Sequence, residues 1–152
     1  MKSKRKLLIL SIASVIAIGG CAFWTYRDFR ETYSIRTAAH GRPEDVSFLR
    51  LPTTVSGIGY WRDGNNYFAE FDIAEDAFRR LLSRFQFQEI SEPIEVRPKT
   101  FGDPNTFPPH GSATPITVSS GLRYRERWSN GGGYDIIYDR ARSRAYYDSS
   151  KR

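Results

Sequence analysis

The chain of 152 residues contains one cysteine, Cys21, so no intramolecular disulfide can staple it and no thiolate metal cluster can be assembled from it. Histidine is nearly as scarce. His40 and His110 each stand in a stretch containing glycine or proline, with no second histidine at a metal-ligand spacing, so neither metal nor any other cofactor is expected. A large uniform positive field is missing too. The formal charge is +6, but Lys2, Lys4, Arg5 and Lys6 supply four of the 23 basic residues ahead of the first apolar run, leaving 19 against 17 acidic residues. So close a balance offers little to a phosphate backbone, and nucleic acid is not an expected partner. Catalytic motifs are absent as well. "GSATP" lacks the second glycine of a nucleophile elbow. The "GGG" of residues 131–133 is followed by neither Lys-Ser/Thr nor a helical pattern, so it reads as a hairpin turn and not a phosphate loop. No catalytic residue is assigned, and the expectation leans away from an enzyme.

What the chain does have is one long apolar run. "KSKRK" precedes "LLILSIASVIAIGG", the charged start, apolar middle and small-residue end of an export signal. "IGGC" resembles the bacterial lipobox, in which Cys21 would be the lipid-attachment site, with Ile18 and Gly19 departing from its commoner residues. The apolar character continues past Cys21 through Tyr26, giving about twenty residues, roughly 30 Å of helix, enough to cross a bilayer. Trp24 and Tyr26 stand just before Arg27, where an aromatic belt meets headgroups. Residues 1–26 are therefore expected to anchor the chain, as an uncleaved transmembrane helix or as a lipoprotein signal. Either way the basic cluster stays inside and the rest lies outside the cytoplasmic membrane.

Residues 27–45 mix charges with weak apolar character and end in a Gly/Pro break, which reads as a juxtamembrane stalk before a domain over residues 46–152. Two alternating runs, Ser56 to Arg62 and Tyr67 to Ile73, flank "DGNN" and predict a β-hairpin. In the second run Tyr67, Ala69, Phe71 and Ile73 would share one face, and Phe68, Glu70 and Asp72 the other. Ala74, Ala77, Phe78, Leu81, Leu82 and Phe85 then fall at helical spacing, with Arg79, Arg80 and Arg84 opposite. Asp72 and Glu75 have the spacing of a capping box, which accounts for Asp72 without a catalytic pairing to Glu70. "QEISEPIEV" predicts one more strand. Residues 97–115, "RPKTFGDPNTFPPHGSATP", form a long loop whose Phe101, Phe107 and His110 either make a recognition tip or tuck onto the sheet edge. "GLRYRERW", "YDIIYD" and "RAYYDSS", separated by turns, predict a closing meander.

In the first strand of that meander Arg123, Arg125 and Arg127 alternate with apolar and aromatic residues, so three guanidinium groups should line one face. Forked donors suit carboxylate or phosphate, and Tyr60, Trp61, Tyr134, Tyr138, Tyr146 and Tyr147 could stack beside them. Asp135 and Asp139 on the next strand could equally satisfy the row by cross-strand pairing.

"LPTTVSGIGYW", "NYFAEFDIAEDAFRRLL" and "GGGYDIIYDRARSRAYYDSS" resemble recurring pieces of small uncharacterised bacterial exported or membrane-anchored proteins. The resemblance spans much of residues 51–150 and implies a strand, helix and closing hairpin, with no activity attached. The expected fold is α+β: an antiparallel sheet with one amphipathic helix, near residues 74–85, packed on one face. The expected function is a non-catalytic binding module of the bacterial cell envelope. Arg123, Arg125, Arg127, Phe107 and His110 are its candidate binding residues, and another envelope protein or a cell-wall glycan its partner. A small hydrolase, or an inhibitor of one, acting on envelope polymers is the alternative.

Overall fold

Among the described residues from Arg36 onward, nine strands and one α-helix follow one another, and most of their boundaries are set by local chemistry. In the computed structural model residues 21, 23–25, 36–103 and 114–151 are described. The strands are β1 (Arg36–Ala38), β2 (Ser56–Asp63), β3 (Asn66–Asp72), β4 (Gln88–Glu89), β5 (Ile94–Val96), β6 (Ile116–Val118), β7 (Gly121–Arg127), β8 (Gly133–Asp139) and β9 (Arg144–Ser150). The helix α1 (Glu75–Leu81) follows β3. Seven strands form an antiparallel sheet in the order β1-β2-β3-β9-β8-β7-β4, and β5 and β6 form a separate two-stranded ribbon. The expected antiparallel sheet with a single packed helix is thus present, and the hairpin and the meander fall where the alternation put them.

The join between hairpin and meander is the non-local step. β3 pairs with β9 along its whole length, Asn66 opposite Ser150 through Asp72 opposite Arg144. One face of the sheet carries Ala69, Phe71, Leu122, Ile136, Tyr138, Ala145 and Tyr147, covered by Phe78 and Leu82 of the helix segment and by Val46, Leu49, Leu51 and Val55. Phe78 is fully buried and stacks on Tyr138, ring centroids 4.9 Å apart. The opposite face is also covered in part. Val96 and Val118 of the ribbon pack on Ile137 and Tyr146.

Several expectations need correction. Residues 36–38 lie inside the expected stalk, yet they pair with β2. The turn Pro43–Val46 buries Val46, so the compact unit runs from Ile35 to Arg152 and begins well before Val46. The helix ends at Leu81 with Leu82 as its C-cap, not near Phe85, because the chain turns there to lay Phe85 and Phe87 against Tyr124 and Phe78. Asp72 does not cap it. Ala74 is the N-cap, without a side-chain hydrogen bond, and the Asp72 carboxylate binds Arg144 at 2.6 Å. The helix is held at its ends by Glu75–Arg79 and Asp76–Arg80 pairs, both 2.8 Å, with acids in the first turn and arginines in the last to complement the dipole. "QEISEPIEV" is two strands in two sheets, since Pro93 and the bend before it part β4 from β5.

Residues 1–34 form a unit of their own. Cys21, Phe23, Trp24 and Thr25 are helical and exposed, and the Thr25 hydroxyl donates to the Cys21 carbonyl. Among the described residues no helix is long and apolar enough to cross a membrane, and the expected anchor lies almost wholly outside them.

Candidate functional site

Alternation along β7 puts Arg123, Arg125 and Arg127 on one sheet face, and the strand order decides what stands beside them. Arg123 is opposite Ile137, Ile137 opposite Tyr146, and Tyr146 opposite Glu70. In the next row Arg125 is opposite Asp135, Asp135 opposite Asp148, and Asp148 opposite Phe68. These two rows, with Arg127 beyond them, therefore bring three arginines, two aspartates, one glutamate and one tyrosine onto a single face. Lys99, from the loop after β5, completes it, its ammonium 5.2 Å from the centroid of the Phe68 ring.

Between these side chains lies an open cleft of about 190 Å³, lined by Glu70, Val96, Lys99, Arg123, Tyr146 and Asp148 among others. Lys99 and Asp148 also line a second hollow of about 490 Å³, with Asn66, Arg127 and Lys151, so the two hollows adjoin along one groove-like stretch of the face. Asp135 is the hub of the arginine row. It accepts two hydrogen bonds from Arg123, at 3.0 and 2.7 Å, and lies 3.8 Å from Arg125 and 4.0 Å from Arg127. Arg123 is thereby spent on the fold, while Arg125 and Arg127 remain exposed. Asp139 plays no part in the row. It is 1% exposed and caps the β8–β9 turn, accepting from the backbone of Ala141 and Arg142 and from the Arg142 guanidinium at 2.6 Å.

The buried ionisable groups of the cleft are shifted by desolvation. Glu70 is 5% exposed, and burial raises its carboxyl above the usual range. The Lys99 backbone N–H and Arg144, 3.5 Å away, pull the other way. Burial likewise raises Asp148, with Asp135 adding to the rise and Lys99 and Arg127 opposing it. The Tyr146 phenol is pushed up to about 12, chiefly by burial and then by the Glu70 charge. Among the described residues no group of three or more His, Cys, Asp or Glu side chains is placed to hold a metal ion.

The aromatic residues expected beside the row divide between faces. Tyr146 stands with it, whereas Tyr134, Tyr138 and Tyr147 belong to the core on the helix side. Tyr60 packs on that same core, and Trp61 is fully buried edge-on to Phe68, so neither offers an open ring to a ligand. Phe107 and His110 lie outside the described residues. Phe101 tucks inward. Its ring lies on Gly59, where a β-carbon would come within 2.4 Å of it. Glu70, Lys99 and Asp148 were not among the expected site residues. The Arg144, Tyr146, Asp148 alternation in "RAYYDSS" is the signal that could have placed Asp148 on the arginine face, but only the β3–β9 pairing adds Glu70.

Comparison with protein-family models, with curated proteins and with solved structures gives no match.

Proposed function

We propose that this chain is a non-catalytic binding module of the bacterial cell envelope, held at the membrane by its N-terminal segment and taking its ligand on the charged sheet face. The observation that carries the reading is the groove itself. The cleft is bounded on one side by a buried carboxyl and phenol and on the other by exposed arginines, a concave lining of mixed polarity such as ligands occupy. The composition of residues 1–26 supports the location, and the resemblance to small exported or membrane-anchored bacterial proteins agrees with it. Hydrolysis is less well supported. Glu70, the most buried carboxyl of the cleft, is already engaged by the Lys99 backbone and Arg144, which leaves no free acid and base side by side.

The test uses the full chain in cells, with a photo-crosslinking amino acid at position 125 or, as a control, at position 80 on the exposed side of the helix. Position 125 is expected to capture an envelope component that position 80 does not, and external protease is expected to digest the domain in spheroplasts. A protected domain, or equal capture at both positions, overturns the reading. Intact mass of the membrane-extracted chain beside Cys21→Ser separates the two anchors. Loss of residues 1–20 with added acyl mass means a lipoprotein, and a full-length unmodified chain means a transmembrane helix.

A further inference from the structure

The groove has charges left over after its internal pairs are counted. Arg123 is taken by Asp135 at 2.7 Å and Arg97 by Glu95 at 3.2 Å. Glu70 holds the Lys99 backbone N–H and Arg144. Among the described residues the Asp148 carboxylate makes no hydrogen bond and no ion pair, although it senses Lys99, Asp135 and Arg127. The Lys99 ammonium rests over Phe68, 5.2 Å from the ring centroid, and among the described residues forms no ion pair with a carboxylate. The Tyr146 ring is 7% exposed and lines the cleft, and its hydroxyl has no hydrogen-bond partner among the described residues. The hydroxyl opens onto the cleft, where a ligand's donor or acceptor can take the place of water.

Both hollows carry charges of both signs, with acids in the majority in one and cations in the other. At one end the Asp148 carboxylate stands beside the Tyr146 hydroxyl, and Glu70, already engaged by the Lys99 N–H and Arg144, adds its charge. At the other, Arg127 and Lys151 join Lys99 as cations, against one further carboxylate, Asp63, which accepts from the Asn66 amide at 3.4 Å. Lys99 and Asp148 line both hollows, so opposite charges face the same space without closing on each other.

We propose that the groove binds a zwitterion, an α-amino acid or short peptide with free ends, its ammonium toward Glu70, Tyr146 and Asp148 and its carboxylate toward Lys99, Arg127 and Lys151. This rests on the reading of the face as a binding surface and names its ligand class. A simple anion would meet Asp148 and Glu70, and a simple cation would meet Lys99 and Arg127. A sugar would find no bare ring to stack on, because Lys99 covers Phe68 and the Tyr146 ring is buried. Only a ligand carrying both signs satisfies both ends.

The test is titration of the detergent-solubilised full chain, followed by NMR or calorimetry, with alanyl-alanine, its N-acetyl form, its C-terminal amide and N-acetylglucosamine. The free dipeptide is expected to bind at least tenfold more tightly than either blocked form. Lys99→Met is expected to abolish the discrimination against the amide alone, and Asp148→Asn that against the acetyl form alone. Circular dichroism of each variant confirms the fold. Equal binding of free and blocked forms, no binding of the dipeptide, or binding of the sugar in its place overturns the proposal. If position 125 still captures an envelope component in those cases, the binding-module reading stands and the zwitterion alone fails. If both fail, the face is not a binding site.

Discussion

Asp135 and Asp148 stand directly opposite each other on β8 and β9, and three arginines lie within 4.0 Å of Asp135 while none reaches Asp148. The asymmetry follows from strand order. Asp135 is next to β7 and its arginine row, whereas Asp148 is one strand further in, beside Phe68 of β3. The same residue type on the same face is thus a structural hub in one strand and an unsatisfied, partly buried acid in the next.

Asp148 should therefore cost stability when charged. Its folded pKa is raised, mainly by burial, so its contribution is fully favourable below the unfolded value of about 3.9 and is lost as pH rises through the folded value. Asp148→Asn is expected to melt above wild type at about pH 7, with the difference closing toward about pH 3. Thermal melts across that range check it, and a lower melting temperature for the variant near neutrality would count against the assignment. A stabilising substitution that also weakens ligand discrimination would mark a residue kept for binding at the expense of the fold.

What could be read from the sequence was what is local. "DGNN", "SNGGG" and "RARS" are turns with their chemistry in view, and alternation between them set β2, β3, β7, β8 and β9 and the common face of Arg123, Arg125 and Arg127. What could not be read was partnership at long range. Asp72 has the spacing of a helix cap, but Arg144, 72 residues away, takes its carboxylate at 2.6 Å. Glu70 acquires its role only when β9 pairs with β3 and the Lys99 backbone N–H reaches it across 29 residues. No spacing rule encodes a backbone donor from a loop. The candidate site was accordingly visible as half of itself, the arginine edge without the acidic floor.

Gly121 is a second consequence of long-range packing. It opens β7 at φ +155°, and a β-carbon there would come within 1.8 Å of the Tyr138 carbonyl oxygen on β8. Neither partner is a flexible side-chain end, so β7 and β8 would have to part where Gly121 pairs with Asp139 and where the Gly121 carbonyl accepts from Ile90. Gly121→Ala is expected to cost more than the roughly 1–3 kcal/mol of backbone strain alone. Denaturant titration checks it, and a loss within about 0.5 kcal/mol, typical of an indifferent surface change, would show that the strands yield easily.

Acid should act on the opposite edge of the fold with the opposite sign. Glu75, at the start of α1, binds Arg140 of the β8–β9 turn at 2.6 and 2.9 Å and Arg79 at 2.8 Å, and both arginines also reach Glu89 of β4. The network ties helix, turn and edge strand together, and it holds the Glu75 carboxyl down to about 2, chiefly through the Arg140 hydrogen bonds. A depressed folded pKa gives stability that is present above the unfolded value and lost as pH falls through the folded one. The window for Glu75 runs from about 4.5 down to about 2. Glu75→Gln is expected to melt below wild type at neutral pH and to show a flatter pH dependence in that window. The arginines are 38% and 46% exposed, so the difference should shrink in about 1 M salt. Melts at two pH values and two salt concentrations separate the outcomes. If wild type and variant keep the same gap through the acid window, the network holds Glu75 by geometry and not by charge.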